Sequence, residues 1–390
     1  MASMRFFEGG TAKLAASALT KAAPAYVQFY ITARCNLACE QCNIIYSNAD
    51  QEEASLEDCC RIAENLARIG TSVVLLTGGE PFVRKDLPEI CKAFTANGIH
   101  ARVQTNGLAT RRQLEAVARA GVKDISVSLD SLEPTTQDLI NGGFDQSWER
   151  AIRTVALIND VFPQDGFAAF GCVLAPRNLF DIEGVVRFAN AVGWWVSLVP
   201  AHVTRPGRPA NFRTFDAALR FPRERLPEVR AVLERVKTLR NTGSNVYDSD
   251  EYLDDVYRFV AGEPIRWRRR NDDVCDSPYL YFAIQPNGDM AVCCDFRLPR
   301  SLRVQSPEFP GVYFGRQLRE EAGAVTRACS GCMYGSFPEI SISARFFVPM
   351  LRRARLFLGG GQRCLQRHSA ERMLEIAREL RRTRDADAMA

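Results

Sequence analysis

The pattern of apolar and polar positions in the first half of the chain alternates between two periods. Six short runs rich in β-branched and aromatic residues predict strands. These runs lie at residues 26–32, 72–77, 101–105, 124–130, 167–174 and 196–200. Strands that recur at this spacing, separated by longer segments, indicate an α/β fold with a parallel sheet.

Between these strands, apolar residues at helical spacing predict helices at residues 55–69, 87–97, 111–120, 147–162 and 179–192. Ser55 and Asp58 resemble a capping box at the start of the first helix. Six strand–helix units suit a doubly wound sheet or a partial barrel. Both folds bind ligands at the carboxyl ends of their strands.

The rest of the chain differs in composition and predicts further divisions. Two helices are predicted at 227–240 and 249–261, in a region rich in Arg and Pro that we interpret as a linker or lid. Cysteines return after it, around a turn predicted at Gly288. The predicted divisions are an extension (1–25), an α/β core (26–202), a linker (203–271), a cysteine-rich region (272–338) and an Arg-rich helical tail (339–390).

Composition narrows the class of protein. The chain has 390 residues, 46% of them hydrophobic, which is typical of a globular protein with a substantial core. A net charge of +4 gives no reason to expect a nucleic-acid partner. We find no signal peptide or membrane span and expect a cytoplasmic protein. The odd number of 13 cysteines favours metal ligation in a reducing compartment over disulfides.

The strongest chemical signal is a loop with Cys35, Cys39 and Cys42 directly after the first predicted strand. Three thiolates so close together suit a [4Fe–4S] cluster with one iron left open. Zinc is the alternative, but it prefers a fourth nearby Cys or His, and the next cysteine, Cys59, lies on a predicted helix.

Four further motifs follow the later strands: Thr77-Gly78-Gly79-Glu80-Pro81, Thr105-Asn106-Gly107, Ser126-Val127-Ser128-Leu129-Asp130-Ser131 and Arg177-Asn178. With these motifs, the loop resembles the radical SAM superfamily over about residues 26–202. The resemblance implies a partial (β/α)6 TIM-like barrel that binds S-adenosylmethionine at the open iron. Gln41 departs from the aromatic residue that many members have there. The resemblance implies that the cofactor contacts are Gly78, Gly79, Glu80, Pro81, Asn106, Ser128, Asp130 and Arg177.

A second group of cysteines resembles the twitch or SPASM auxiliary-cluster domains of this superfamily. The turn at Gly288 would let the cysteines on either side of it converge. The resemblance implies one fully ligated [4Fe–4S] cluster, with Cys294 as a neighbour or alternate ligand; a zinc ribbon is the alternative. The expected ligands are Cys275, Cys293, Cys329 and Cys332.

Other features have weaker interpretations. His202 follows the sixth strand and could be an acid/base group or a structural histidine, and Asp295 could accept a substrate proton. Residues 343–358 could form a basic amphipathic helix that touches a membrane or packs on its own domain, although Pro349 would interrupt it. The arginines of 266–270 could bind an anion, but a solvated charge run is the more common case.

Together these features predict a radical S-adenosylmethionine enzyme with an auxiliary cluster for electron transfer. Its partners would be an electron donor such as flavodoxin or ferredoxin and a small-molecule substrate, for example a sugar, alcohol or lipid-like metabolite. Modification of a peptide or protein is the alternative reaction. An iron–sulfur or zinc protein that acts as a sensor or scaffold is the alternative class.

Overall fold

The computed structural model describes residues 16–17, 19–42, 52–202, 217–267, 275–294, 296–329, 331–357 and 365–389. The strands of these residues form one eight-stranded sheet. They are β1 Tyr26–Thr32, β2 Val73–Gly78, β3 His100–Thr105, β4 Asp124–Ser128, β5 Ala168–Leu174, β6 Trp195–Pro200, β7 Tyr281–Ile284 and β8 Met290–Ala291. The α/β class predicted from the sequence is confirmed.

Helices follow the first five strands. They are α1 Leu56–Arg68, α2 Leu87–Ala96, α3 Arg111–Arg119, α4 Pro134–Ile140, α5 Ser147–Val161 and α6 Ile182–Val192. The capping box predicted at Ser55 and Asp58 is present at the start of α1. Sequence analysis did not predict α4, because a helix of seven residues is too short to display a helical period.

The order of the strands decides between the two folds that their alternation allowed. Strands β1 to β6 are parallel, and each pairs with its neighbour in sequence. A doubly wound sheet would instead change direction at a switch point. The sheet is therefore wound in one direction, as in a partial barrel.

The cysteine-rich region continues the same sheet on the other side of β1. Strand β7 is parallel to β1, with Tyr281 opposite Tyr26, and β8 returns antiparallel. The predicted turn is present: Gly288 has a φ of +86°, and its N–H donates to the carbonyl of Gln285 at 2.9 Å. Positive φ is the region that glycine adopts without strain.

The two faces of the barrel strands differ. On β1, Val27, Phe29 and Ile31 are fully buried in the main core, which also contains residues of α1 and α2, whereas Gln28 between them is only half-buried. On β3 to β6, the alternate residues that face into the barrel are also half-buried. They include Arg102, Gln104, Ser126, Ser128, Gly171, Val173, Ser197 and Val199.

The C-terminal part of the chain adds further helices around the barrel. Those between β6 and the tail are α7 Leu226–Asn241, α8 Asp250–Ala261, α9 Phe309–Phe314 and α10 Arg316–Ala328. The tail contains α11 Ser336–Arg345, α12 Phe347–Phe357 and α13 Ala370–Met389, and α13 packs on α5 and α6. The helices predicted at 227–240 and 249–261 are confirmed as α7 and α8.

The predicted basic helix of the tail is two helices with a break at Phe346. Pro349 lies in the first turn of α12, where proline is tolerated. No described helix is long and apolar enough to cross a membrane. Ion pairs tie this segment to the fold and favour packing on its own protein: Arg345 with Asp276, Arg352 with Asp250, and Arg353 with Glu339.

One buried side chain fastens the cysteine-rich region to the barrel. The Nδ2 atom of Asn65, on α1, donates to the carbonyls of Val304 and Ser306, both at 2.8 Å. We predict that Asn65→Leu lowers the free energy of unfolding by about 1–3 kcal/mol, because these carbonyls lose their donor. Urea unfolding measures this change. Glu64→Gln, on the exposed face of α1, is the matched control, and equal stability of the two variants would contradict the prediction.

Candidate active site

The carboxyl ends of β1, β2 and β3 meet at one edge of the sheet, and one sequence motif follows each of them. The cysteine loop follows β1, Glu80 and Pro81 follow β2, and Asn106 follows β3. Asn106 and Cys35 are 71 positions apart in the chain, yet their Nδ2 and Sγ atoms lie 3.9 Å apart. The barrel therefore gathers distant motifs into one candidate site.

Gly78 and Gly79 contact the backbone of the cysteine loop. The N–H of Gly79 donates to the carbonyl of Thr32 at 2.8 Å, and that of Glu80 donates to the carbonyl of Arg34 at 2.9 Å. A Cβ on Gly78 would lie 2.1 Å from the Thr32 oxygen, and a Cβ on Gly79 2.1 Å from the Arg34 oxygen. Sequence analysis assigned these glycines to close approach of a ligand, but the cysteine loop itself already requires them.

The three thiols of the loop have the chemistry of iron ligands. Cys35 Sγ accepts the N–H of Leu37 at 3.4 Å, and the N–H of Cys42 donates to the carbonyl of Cys39 at 3.2 Å. Burial raises the pKa of Cys35 and Cys39, and the nearby Cys42 raises both further. Such mutual repulsion would be relieved by a shared cationic centre, so this donor set fits a cluster.

The described residues contain no group of three His, Cys, Asp or Glu side chains placed to hold a single metal ion. The three cysteines of the loop are all described, half-buried and free of disulfides. A [4Fe–4S] cluster distributes its thiolate ligands over different iron atoms, whereas one zinc ion takes all of its ligands at about 2.0–2.3 Å.

Glu80 is a buried carboxylate held by three donors. One oxygen accepts from Thr105 Oγ1 at 2.9 Å and from the N–H of Phe82 at 3.1 Å, and the other accepts from the N–H of Asn106 at 2.6 Å. Burial raises the pKa of Glu80 to about 7, although these hydrogen bonds oppose the rise. A cationic ligand beside Glu80 would favour its charged form.

Asp130 is a second buried carboxylate, reached from the cysteine loop by Gln41. Gln41 Nε2 donates to one oxygen of Asp130 at 2.9 Å, and the N–H of Val173 donates to the other at 2.6 Å. Burial raises the pKa of Asp130 to about 6. Ser128, two residues earlier, is half-buried on the inner face of β4. Gln41, the departure from the family pattern, thus links the loop to the end of β4.

Arg177 also contacts the cysteine loop. Its Nε and Nη2 atoms lie 3.3 and 3.2 Å from the carboxylate oxygens of Glu40. The N–H of Glu40 donates to the carbonyl of Ile140 at 2.9 Å. Arg177 therefore lies beside the cysteine loop, and its partner is Glu40, between the second and third cysteines.

Sequence analysis missed a second ion pair of the loop. Arg34 Nε and Nη2 lie 2.9 and 2.8 Å from the two oxygens of Glu53, which also accepts from Thr32 Oγ1. A bidentate pair of this kind fixes orientation as well as charge. No sequence pattern could have predicted this ion pair, because Arg34 and Glu53 are 19 positions apart and come together only in the folded chain.

The weaker catalytic candidates receive little support. The Nε2 atom of His202 accepts the N–H of Met333 at 3.1 Å, and its ring stacks on Tyr334 with centroids 3.7 Å apart. These are the contacts of a structural histidine that anchors the loop after Cys332. Asp295 lies outside the described residues, as do residues 268–270 of the arginine run.

Three cysteines of the second group lie at the opposite end of β1. Cys275 precedes β7, and Cys293 and Cys294 follow β8, so all three are near the amino end of β1. They pack on an apolar cluster that includes Tyr26 and Phe337. The sequence predicted both groups, but their placement at opposite ends of β1 depends on the pairing of β7.

Two contacts distinguish the cysteines of this second group. Burial raises the pKa of Cys275 to about 11, and the neighbouring Cys329 raises it further. Cys329 Sγ accepts the N–H of Gly331 at 3.2 Å. The Sγ atom of Cys294 lies instead 3.7 Å from Gln28 Oε1, on the inner wall of the barrel.

Comparison with known proteins identifies the family of the barrel. Residues 29–189 match the sequence profile of the Radical SAM superfamily. The chain is 35% identical over 242 residues to the Fe-coproporphyrin III synthase of Methanosarcina barkeri, which corresponds to 60% of this chain and 57% of that protein. It is 34% identical over 161 residues to the PqqA peptide cyclase of Rhizobium meliloti, or 41% of this chain and 42% of that protein.

Solved structures show the same fold. SuiB of Streptococcus suis bound to S-adenosylmethionine superposes with a TM-score of 0.60 at 17% identity, covering 78% of this chain and 68% of that one. The protein anSMEcpe with bound AdoMet and Cp18Cys peptide gives a TM-score of 0.55 at 11% identity, covering 94% and 98%. At these identities the likeness extends to the fold alone.

The chain contains a radical SAM domain, and the members of this family are enzymes that use a [4Fe–4S] cluster and S-adenosylmethionine. The sequence resemblance to this family is therefore confirmed. The chain spans about half the length of the curated relatives it matches, so its own reaction and substrate are matters for proposal.

The contact between Gly79 and the cysteine loop can be tested. We predict that Gly79→Ala displaces the loop, because the new Cβ would overlap the Arg34 carbonyl at 2.1 Å. Reconstituted protein should then hold less iron per chain and melt at a lower temperature. Gly311→Ala is the control, since a Cβ at Gly311 meets nothing within 4 Å. Unchanged iron content in Gly79→Ala would contradict the prediction.

Proposed function

We propose that this protein is a radical S-adenosylmethionine enzyme whose catalytic [4Fe–4S] cluster is bound by Cys35, Cys39 and Cys42. The observation that carries the proposal is the close packing of the cysteine loop on the Gly78–Gly79 turn, which sets Glu80 and Asn106 beside the thiols. When bound, the reduced cluster and S-adenosylmethionine supply a 5′-deoxyadenosyl radical that abstracts hydrogen from a substrate.

The residues around the loop would bind and orient S-adenosylmethionine. Burial raises the pKa of Glu80 to about 7. This carboxylate would bind the ammonium group of S-adenosylmethionine and become fully charged. Ser128 and Asp130 would contact the ribose or the methionine end from β4, and Asn106 would contact it from β3. Arg177 could turn from Glu40 towards the cofactor carboxylate, since its pair with Glu40 is partly exposed and therefore weak.

We further propose an auxiliary [4Fe–4S] cluster ligated by Cys275, Cys293, Cys329 and Cys332. The proximity of Cys275 to Cys329 supports it. The contact of Cys294 with Gln28 favours Cys294 as a neighbour of this cluster over a ligand. A fully ligated cluster has no open iron for substrate, so its role would be electron transfer. An external donor such as flavodoxin or ferredoxin would reduce the catalytic cluster.

The leading substrate class is a small molecule that is oxidised or rearranged. The inner face of the barrel supports this choice, because its small and polar side chains below the cysteine loop are only half-buried. A peptide is the second candidate, favoured by the similarity to PqqA peptide cyclase. We do not retain the sensor or scaffold alternative, since the family consists of enzymes.

The proposal predicts a specific loss of chemistry. Anaerobically reconstituted, reduced protein should convert S-adenosylmethionine to 5′-deoxyadenosine, and a variant with Ala in place of Cys35, Cys39 and Cys42 should not. Iron should fall from about eight to about four atoms per chain, because one cluster is lost. Chromatography of 5′-deoxyadenosine and iron analysis measure the two effects.

Two controls separate the parts of this proposal. Cys60→Ser removes a half-buried thiol of α1 and should change neither readout. Replacing Cys275 and Cys329 by Ala should lower iron to about four atoms per chain and leave the catalytic cluster in place. Unaltered protein that carries iron but forms no 5′-deoxyadenosine would refute the enzymatic proposal, and about four irons in that protein would refute the auxiliary cluster.

The role of Glu80 predicts a pH dependence of cofactor binding. Because burial raises its pKa to about 7, Glu80 is increasingly protonated below pH 7 in the ligand-free protein. Affinity for S-adenosylmethionine should therefore rise with pH, by up to tenfold per unit, and level off above about pH 7. The stability of the ligand-free protein should show the opposite trend. Its free energy of unfolding should fall as pH rises from about 4.5 to 7, because folding favours the protonated form of Glu80.

Equilibrium binding between pH 6 and 8.5 measures the first trend, and thermal unfolding between pH 4.5 and 8.5 measures the second. Glu80→Gln should flatten both profiles and weaken binding by about tenfold or more, since the charge is gone. Glu89→Gln, on the exposed side of α2, should leave them unchanged. A Glu80→Gln variant that keeps the pH dependence of binding would show that another group receives the cofactor.

A further inference from the structure

Small and polar side chains on the inner face of the barrel strands are half-buried, and the space that they border is called the barrel compartment below. In a closed barrel, bulky branched side chains fill the interior in layers. Here the inner positions of β4 to β6 include Ser126, Ser128, Gly171 and Ser197, all half-buried. Gly171 lies opposite Ser128 and Ser197 in the sheet, so its missing side chain leaves space between them.

Two buried or half-buried guanidinium groups lie near the aromatic rings at the amino end of the barrel. Arg353 stacks on Tyr247 at 3.9 Å and pairs with Glu339, whereas Arg102 lies on the inner face of β3. Arg102 occupies an inner position in the middle of β3, with its side chain 17% exposed. Its Cζ atom lies 4.5 Å from the centre of the Phe167 ring.

The hydrogen-bonding capacity of Arg102 is unused within the described residues. Its Nε atom is shielded from solvent and has no partner there. The buried Asp124 forms an ion pair with Arg102, but its oxygen is 3.8 Å from Nε, beyond hydrogen-bond distance. That oxygen already binds His100 Nε2 at 2.7 Å, and the other oxygen of Asp124 accepts the N–H of Phe167 at 3.1 Å. The guanidinium of Arg102 therefore has an ion-pair partner but donates no hydrogen bond to a described residue, and its planar fork can still bind an acceptor.

The surroundings of Arg102 are apolar on one side. Phe167 stacks on Trp195 with ring centroids 6.5 Å apart, and it contacts Tyr247 at 5.9 Å. These three rings, called the aromatic floor, lie at the amino end of the barrel, and the half-buried polar side chains lie nearer its carboxyl end. An arginine above an aromatic floor suits a ligand with one carboxylate and an apolar body.

We propose that Arg102 binds a carboxylate of the substrate, which would make it a specificity-determining residue of the barrel compartment. This inference deepens the proposed function by naming the substrate class of the same site. Arg102 precedes Asn106 by four residues, or about 13 Å along a strand. A substrate bound at Arg102 would therefore extend towards the cysteine loop. Its reacting carbon would lie several bonds away from the carboxylate.

Binding of a matched pair of probes tests the inference on the full, reconstituted chain. The probes are 4-phenylbutyrate and its neutral amide, 4-phenylbutanamide. Their binding is measured by tryptophan fluorescence, because Trp195 stacks on Phe167 beside Arg102. The carboxylate should bind at least tenfold more tightly than the amide. Arg102→Gln should abolish this preference and keep the affinity for the amide, whereas Arg102→Lys should retain part of it, since lysine keeps charge without the fork.

A second pair of probes distinguishes the source of the carboxylate. The peptide N-acetyl-Phe-Glu-Phe-amide is compared with the same peptide containing Gln. A preference for the acid in this pair points to a peptide side chain, and a preference in the first pair alone points to a small molecule. If neither acid binds more tightly than its amide, or if Arg102→Gln keeps the preference, the inference is wrong.

Three controls keep the result interpretable. Arg111→Gln removes an exposed arginine of α3 and should leave every affinity unchanged. Gly171→Val should weaken the acid and the amide equally, because it narrows the compartment without altering charge. Formation of 5′-deoxyadenosine is measured on the same samples without probe, so that a failure of the proposed function is seen separately from a failure of carboxylate binding.

Discussion

The candidate site depends on the close contact between two stretches of backbone. The turn at Gly78 and Gly79 lies directly against the carbonyls of Thr32 and Arg34, with two hydrogen bonds and no room for a Cβ. The second of these bonds comes from the N–H of Glu80 itself. The position of this carboxylate is therefore coupled to that of the cysteine loop, and the other site residues are arranged around this pair.

Strand β1 relates the two cysteine groups to each other. Its seven residues span about 20 Å between the cysteine loop at the carboxyl end and the auxiliary cysteines at the amino end. The polar compartment inside the barrel lies between these ends. A substrate in that compartment would stand between the two proposed clusters, which is the position that suits an electron acceptor on one side and a radical on the other.

Acidic and basic side chains lie at different levels of the barrel, along the direction of β1. Near the cysteine loop, the buried carboxylates of Glu80 and Asp130 have raised pKa values and are held mainly by neutral donors. Deeper in the barrel, Arg102 has donors that no described residue uses. A cationic cofactor near the cysteine loop and an anionic substrate group near Arg102 would each meet a group of opposite charge. This division would also orient the two ligands relative to each other.

Local sequence patterns were sufficient to predict the strands, most of the helices and the cysteine motifs. The periodicity around β1 predicted that strand with its observed bounds, and the cysteine loop was evident because its three thiols are close in the chain. The two helices after the barrel were also predicted, since their apolar spacing is regular. These features depend on residues within about one turn or one strand of each other, so the sequence alone contains them.

The sequence by itself thus determined the strands, most helices, the cysteine motifs and the family resemblance. Only the tertiary structure decided the order of the strands, the pairing of β7 with β1 and the contact of Gln41 with Asp130. It also decided that Gly79 faces the cysteine loop and that Arg102 faces the barrel interior. The reason is physical: these features arise from pairing and register between segments that are far apart in the chain, and no local period records which segments will meet.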